Sequence, residues 1–192
     1  MFYAIRKVIL TACFGVVATC TAWVGLYLYE QRELVAPLVN YAERWKEGKA
    51  EPPRASVQLR GEVIKVVDGN TFQFRGPSGF VYSFGLTGVE APSPRNKTNL
   101  IERKLGLESK DHLSALISSR QITTDVTYFN PNRSGLGIVY LGGTNINLAM
   151  VEAGLVRVNE AFIKNLTLQE QFALVTAQKK AREQKLGIWM EQ

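Results

Sequence analysis

Cysteine and histidine are nearly absent from this chain of 192 residues, which has two Cys and one His. Both cysteines, Cys13 and Cys20, lie in the apolar N-terminal stretch. The rest of the chain therefore has no disulfide and no thiolate metal site, which fits a reducing compartment. The single His112 sits in Glu108-Ser-Lys-Asp111-His112, a polar helical setting that reads as a surface histidine. Internal repeats and low-complexity tracts are also missing. A hydrophobic content of 46% with 21% charged residues is ordinary for a folded protein.

The net charge is +6, and it is unevenly placed. Residues 1–53 hold six Lys/Arg and five Asp/Glu, whereas residues 54–192 hold seventeen and twelve. The surplus of +5 on the second part suits a polyanion, either nucleic acid or lipid headgroups.

Val8 to Tyr29 is an uncharged run of 22 residues. As a helix it would span ~33 Å, enough for a hydrocarbon core of about 30 Å. Arg6 and Lys7 precede it, and Trp23, Tyr27 and Tyr29 crowd its far end, where aromatic rings favour the headgroup level. A cleaved signal would have a shorter apolar core and a small-x-small site. The run is read as a transmembrane helix over 8–29 after a short tail, 1–7. The basic N-terminus predicts an inner tail and a globular domain on the other face. A mitochondrial inner membrane with the domain in the intermembrane space fits that topology; secretory and bacterial envelope membranes remain open. Leu34, Leu38, Tyr41 and Trp45 recur at helical spacing, so residues 30–54 are read as an amphipathic helix and linker, ended by Pro52-Pro53.

From residue 55 the pattern becomes that of strands. Val57 to Val67 is rich in β-branched residues and stops at Asp68-Gly69. Thr71–Arg75, Phe80–Leu86, Gln121–Phe129 and Gly137–Leu141 read as further strands. Helices are predicted over Leu105–Ser118, Asn147–Ala153 and Thr167–Lys185. In the first of these Leu105, Leu113, Leu116 and Ile117 are core candidates. Thr167 and Glu170 have the spacing of a capping box in the last. Phe72, Phe74, Tyr82 and Phe84 alternate along two strands, so at least half of them belong in the core; any that face out would stack bases.

Four segments in this order carry a family resemblance: Val66-Val-Asp68-Gly69-Asn-Thr71; Leu86-Thr-Gly88-Val-Glu90-Ala-Pro92; Val139-Tyr-Leu-Gly-Gly-Thr-Asn-Ile-Asn147 running on to Gly154-Leu-Val; and Gln178 to Trp189. The region 57–190 resembles the staphylococcal nuclease (thermonuclease-like) domain. That resemblance implies an α+β fold over 55–192, a five-stranded oligonucleotide-binding (OB) β-barrel with three packed helices. It also implies calcium-dependent phosphodiester hydrolysis. In the family two carboxylates and a backbone carbonyl hold the ion, a glutamate handles the attacking water and two arginines offset charge on the phosphate. Calcium prefers charged oxygens, and phosphoryl transfer depends on electrostatic stabilisation.

Carried onto this sequence, the resemblance places the first metal acid at Asn70 and the second at Glu90, with Ala91 supplying the carbonyl. The general base falls at Ser93, which without a partner base cannot take a proton near neutral pH. One arginine position falls at Gly85. The other falls at Ser134, or at Arg133 if the register slips by one residue. Arg75, Arg95 and Glu102 are replacement candidates that read better as solvated surface charge. The expectation is a nuclease fold without catalysis, metal or cofactor, working through protein partners in a membrane complex. An active Ca²⁺-dependent endonuclease is the alternative, and a binder of nucleic acid or anionic lipid that does not cut is a third reading. Asn96, Asn132 and Asn165 begin glycosylation triplets that matter only in a secretory lumen.

Overall fold

The computed structural model describes residues 57–190, together with helical residues at 32, 37–39 and 42–43. The expected transmembrane run over 8–29 and most of the linker lie outside the described residues. Among the described residues, no helix is long and apolar enough to cross a membrane.

Five strands build the barrel: β1 (Gln58–Val66), β2 (Thr71–Arg75), β3 (Val81–Leu86), β5 (Gln121–Phe129) and β6 (Ser134–Leu141). They pair in the order β3-β2-β1-β5-β6, and β3 closes the circle by running parallel to β6. Closure removes the exposed edges of an open sheet. A two-residue strand, β7 (Thr144–Asn145), continues the β6 hairpin. A separate ribbon joins β4 (Val89–Glu90) to β8 (Arg157–Val158).

The alternation within β2 and β3 sets the core. Phe72, Phe74 and Phe84 are wholly buried, with Phe74 and Phe84 ring centroids 5.4 Å apart. Three of the four aromatics considered as base-stacking groups are therefore interior. Tyr82, half-buried, stacks on Phe74 at 5.3 Å.

Within residues 57–190 the α-helices are α1 (Leu100–Ile117), α2 (Ile146–Glu152), the one-turn α3 (Glu160–Ile163) and α4 (Leu168–Glu183). Helix α1 begins five residues before the predicted start because Asn99 caps it, accepting a hydrogen bond from Glu102 N. Leu113 and Ile117 of α1 enter the core and Leu116 packs at its margin, while Leu105 packs on a separate small cluster of Ala181, Ile188 and Trp189. His112 is half-buried on the same helix. Helix α4 has the capping box read from its sequence: Glu170 N donates to Thr167 Oγ1 and Thr167 N donates to Glu170 Oε2.

Two family segments have structural roles. The buried Asn147 accepts from Val139 N at 2.9 Å and donates to Thr87 O at 3.0 Å and Gly137 O at 3.2 Å. It ties the end of β3, strand β6 and helix α2 together. Gly154 (φ +68°) and Gly187 (φ +51°) lie face to face, and Ile188 N donates to Gly154 O at 2.9 Å. A Cβ on Gly187 would meet Gly154 O at 2.3 Å. This close approach seats the C-terminal turn of Gly187–Trp189, whose Ile188 and Trp189 are buried.

Candidate functional site

The β1–β2 turn and the β4–β8 ribbon bring the site residues together at one end of β3. Asp68 makes the turn by accepting from Asn70 N at 3.0 Å. Gly69 leaves room for α1, since a Cβ there would fall 1.8 Å from Ser109 Oγ. The turn directs the Asn70 side chain at β4, where Nδ2 donates to Val89 O at 3.2 Å. Its Oδ1 accepts from Thr71 Oγ1 at 3.3 Å. Asn70 thus fastens the β1–β2 turn to the strand that carries Glu90.

Glu90 is exposed, and its Oε2 accepts from Asn159 Nδ2 at 3.2 Å. Its cross-strand partner is Arg157. Ribbon strand β8 is held in place by α4, through Val158 N donating to Gln178 Oε1 at 2.7 Å. Asn159 also caps α3. Neither Arg157 nor Asn159 was found by sequence reasoning. The Asn-Glu pair at 159–160 signals a helix start, but nothing local signals contact with a carboxylate 69 residues away.

Glu90, Ala91, Glu102, Glu108, Lys104 and Arg157 line a groove of about 490 Å³, with Ile101 and Met190 on its apolar margin. Three carboxylates against two cations make it a poor receptor for phosphate. Glu102 is held by Asn96 Nδ2, which donates to its Oε2 at 2.7 Å. Ser93 is exposed, and its Oγ accepts from Arg95 N at 3.3 Å, an interaction that shapes the loop and supplies no base. Arg95 is exposed.

The arginine positions lie along β3 and β6. Gly85 pairs with Leu136, and its missing side chain leaves Leu136 Cδ2 2.9 Å from where a Cβ would stand. Ser134 begins β6 opposite Ser83. Arg133 precedes it in the turn at φ 57°, with its guanidinium carbon 4.0 Å from the Phe80 ring centroid. The side chain is thus stacked on the β2–β3 turn at the start of β3, whereas Asn70 and Glu90 stand at its end. Arg75 is exposed at the end of β2, at the same extremity as Phe80.

The family's calcium has a poor cradle here. Asn70 offers an uncharged oxygen that already accepts a hydrogen bond; of the nearby carboxylates, Asp68 accepts from Asn70 N and Glu90 accepts from Asn159. Among the described residues no group of three His, Cys, Asp or Glu side chains is arranged to hold a metal ion.

Two comparisons bear on this geometry. Endonuclease YhcR of Bacillus subtilis (strain 168) is 30% identical over 155 residues, which is 76% of this chain and 12% of that protein. The chain thus spans about an eighth of the length of that relative. The family model described as "Staphylococcal nuclease homologue" matches residues 83–191, more than half of the chain. That match, on a closed five-stranded barrel with its Asn147 tie and glycine contact, shows that the chain belongs to the staphylococcal nuclease-like family.

Proposed function

We propose that this protein is a membrane-anchored nuclease-like domain that has kept the family fold and lost phosphodiester hydrolysis. It serves as a non-catalytic interaction subunit of a larger membrane assembly. The observation that carries the reading is the state of Asn70. At the position of a metal acid it is neutral, and both ends of its carboxamide are engaged, Nδ2 holding the turn to β4 and Oδ1 accepting from Thr71. Gly85, Ser93 and Ser134 bring no charge to the other family positions, and Arg133 is stacked on Phe80. Catalytic groups that act as a unit are strongly non-additive, so losing even one of them removes most of the activity.

The anchor in this reading is the uncharged run at 8–29, and the setting that fits it is a mitochondrial inner membrane with the domain in the intermembrane space. Extraction in mild detergent, followed by native-gel migration and mass spectrometry, tests the assembly. Co-migration with one large, fixed membrane complex supports a subunit role. A solitary species would contradict it.

A second reading has one observation in its favour: a relative named as an endonuclease. Under it, Glu90 with Ala91 and an amide-ligating Asn70 would hold calcium, and Arg157 beside Glu90 would offset phosphate charge. It requires calcium-stimulated cleavage of single-stranded DNA or RNA.

A further inference from the structure

The end of the barrel away from Glu90 carries large side chains that are left half exposed. Phe80 is 48% exposed, Tyr128 56% and Phe129 47%, and Val81 beside them is 40% exposed. They come from the β2–β3 turn with the first residue of β3, and from the end of β5 before the β5–β6 turn. The turns are joined where Ser83 N donates to Arg133 O at 3.0 Å. Phe129 lies 6.2 Å from Tyr82 and 6.0 Å from the buried Phe84, ring centre to ring centre, and Arg133 covers Phe80. Over residues 75–82 and 128–134 the sequence has two arginines, Arg75 and Arg133, and no acid or lysine.

We propose that this rim is the face that the domain lays on the anionic headgroup surface of its own bilayer, an inference that rests on the anchor reading. The chemistry is that of an interfacial contact. Rings and a valine enter the boundary region while guanidinium groups meet lipid phosphates. A strand of nucleic acid fits less well. Base stacking needs open ring faces, and here the guanidinium of Arg133 lies on Phe80 while Phe129 packs against its neighbours. The tether favours the bilayer too. Between the apolar run and residue 55 stand residues 30–54, which reach at most ~85 Å when fully extended. The domain would therefore meet its own membrane at high effective concentration, so even a weak contact is populated.

The test uses the full-length chain with Cys13→Ser and Cys20→Ser. It bears one fluorescent label at Ser78→Cys in the β2–β3 turn, or at Glu183→Cys on α4 as control. Vesicles of phosphatidylcholine and phosphatidylserine carry a headgroup spin-label quencher. The expected result is co-flotation with the vesicles and quenching at residue 78 at least threefold stronger than at residue 183. Arg75→Glu with Arg133→Glu should bring residue 78 down to the control level without altering flotation. Phe80→Ser, which leaves the buried rings in place, should act in the same direction. Equal quenching at the two positions with flotation intact would overturn the docking face and leave the anchor standing. Failure to float would overturn both. Protection of residue 78 by a single-stranded oligonucleotide, with no response to vesicles, would assign the rim to nucleic acid and overturn the proposal.

Discussion

Replacing Asn147 should cost this domain a large part of its stability, more through hydrogen bonds than through volume. The side chain is 2% exposed and serves three backbone groups. In Asn147→Ala the Val139 N–H loses its acceptor inside the protein, at about 1–3 kcal/mol for an orphaned buried donor. Thr87 O loses the donor Asn147 supplied, while Gly137 O keeps the bond from Thr87 N at 2.9 Å. Adding a small cavity, the total is about 3–5 kcal/mol, against a typical domain stability of 5–15 kcal/mol. Asn147→Asp separates the terms. Its oxygen still serves Val139 N–H, but a carboxylate would face two carbonyls in a buried site. The folded state then favours the protonated acid, so its pKa rises on folding. The resulting penalty is full well above that folded-state pKa and eases as pH falls through it toward the unfolded value of about 4. Chemical denaturation of wild type and both variants at pH 7 and pH 4.5 measures this. A loss below about 1 kcal/mol for Asn147→Ala, or an Asp variant whose deficit against wild type does not shrink at pH 4.5, would refute the reasoning.

Three further outcomes are expected. Gly187→Ala should lose about 2–4 kcal/mol in the same denaturation assay, from the positive φ and the contact with Gly154 O; an unchanged midpoint would count against the glycine contact. Thr167→Ala should lose about 1 kcal/mol through the capping box of α4, visible as a lower denaturation midpoint with an unchanged slope. Asn70→Asp should lose about 1 kcal/mol by giving up the bond to Val89 O, and should introduce a calcium-dependent rise in melting temperature that wild type lacks. A wild type that melts higher in calcium would contradict the account of Asn70.

The barrel was legible because its strands announce themselves locally. Phe72 and Phe74 alternate with polar neighbours, Asp68-Gly69 closes a strand, and Thr167 with Glu170 opens a helix. The start of α1 was misplaced because its first turn exposes Leu100 and Ile101 to solvent and shows no apolar stripe; the Asn99 cap was the available signal. Strand β6 begins three residues before the predicted Gly137, since Ser134 and Gly135 are drawn into the sheet by pairing with β3 and, for Gly135, with Phe129 of β5, which no local pattern reveals. The β4–β8 ribbon escaped for the same reason: two-residue strands have no period, and Val89 and Val158 meet only in the folded chain. At the site, the family motif located Asn70, Glu90 and Ser93. That Asn70 holds Val89, that Asn159 holds Glu90 and that Arg133 stacks on Phe80 are long-range facts that spacing does not encode.

The most direct test of the central claim is a cleavage assay. Detergent-solubilised full-length protein would be incubated with single-stranded DNA and RNA across calcium concentrations and pH, beside an active calcium-dependent nuclease. The account predicts no cleavage above background under any of these conditions. Calcium-stimulated cleavage that disappears in Glu90→Gln would contradict it and establish a working active site around Glu90.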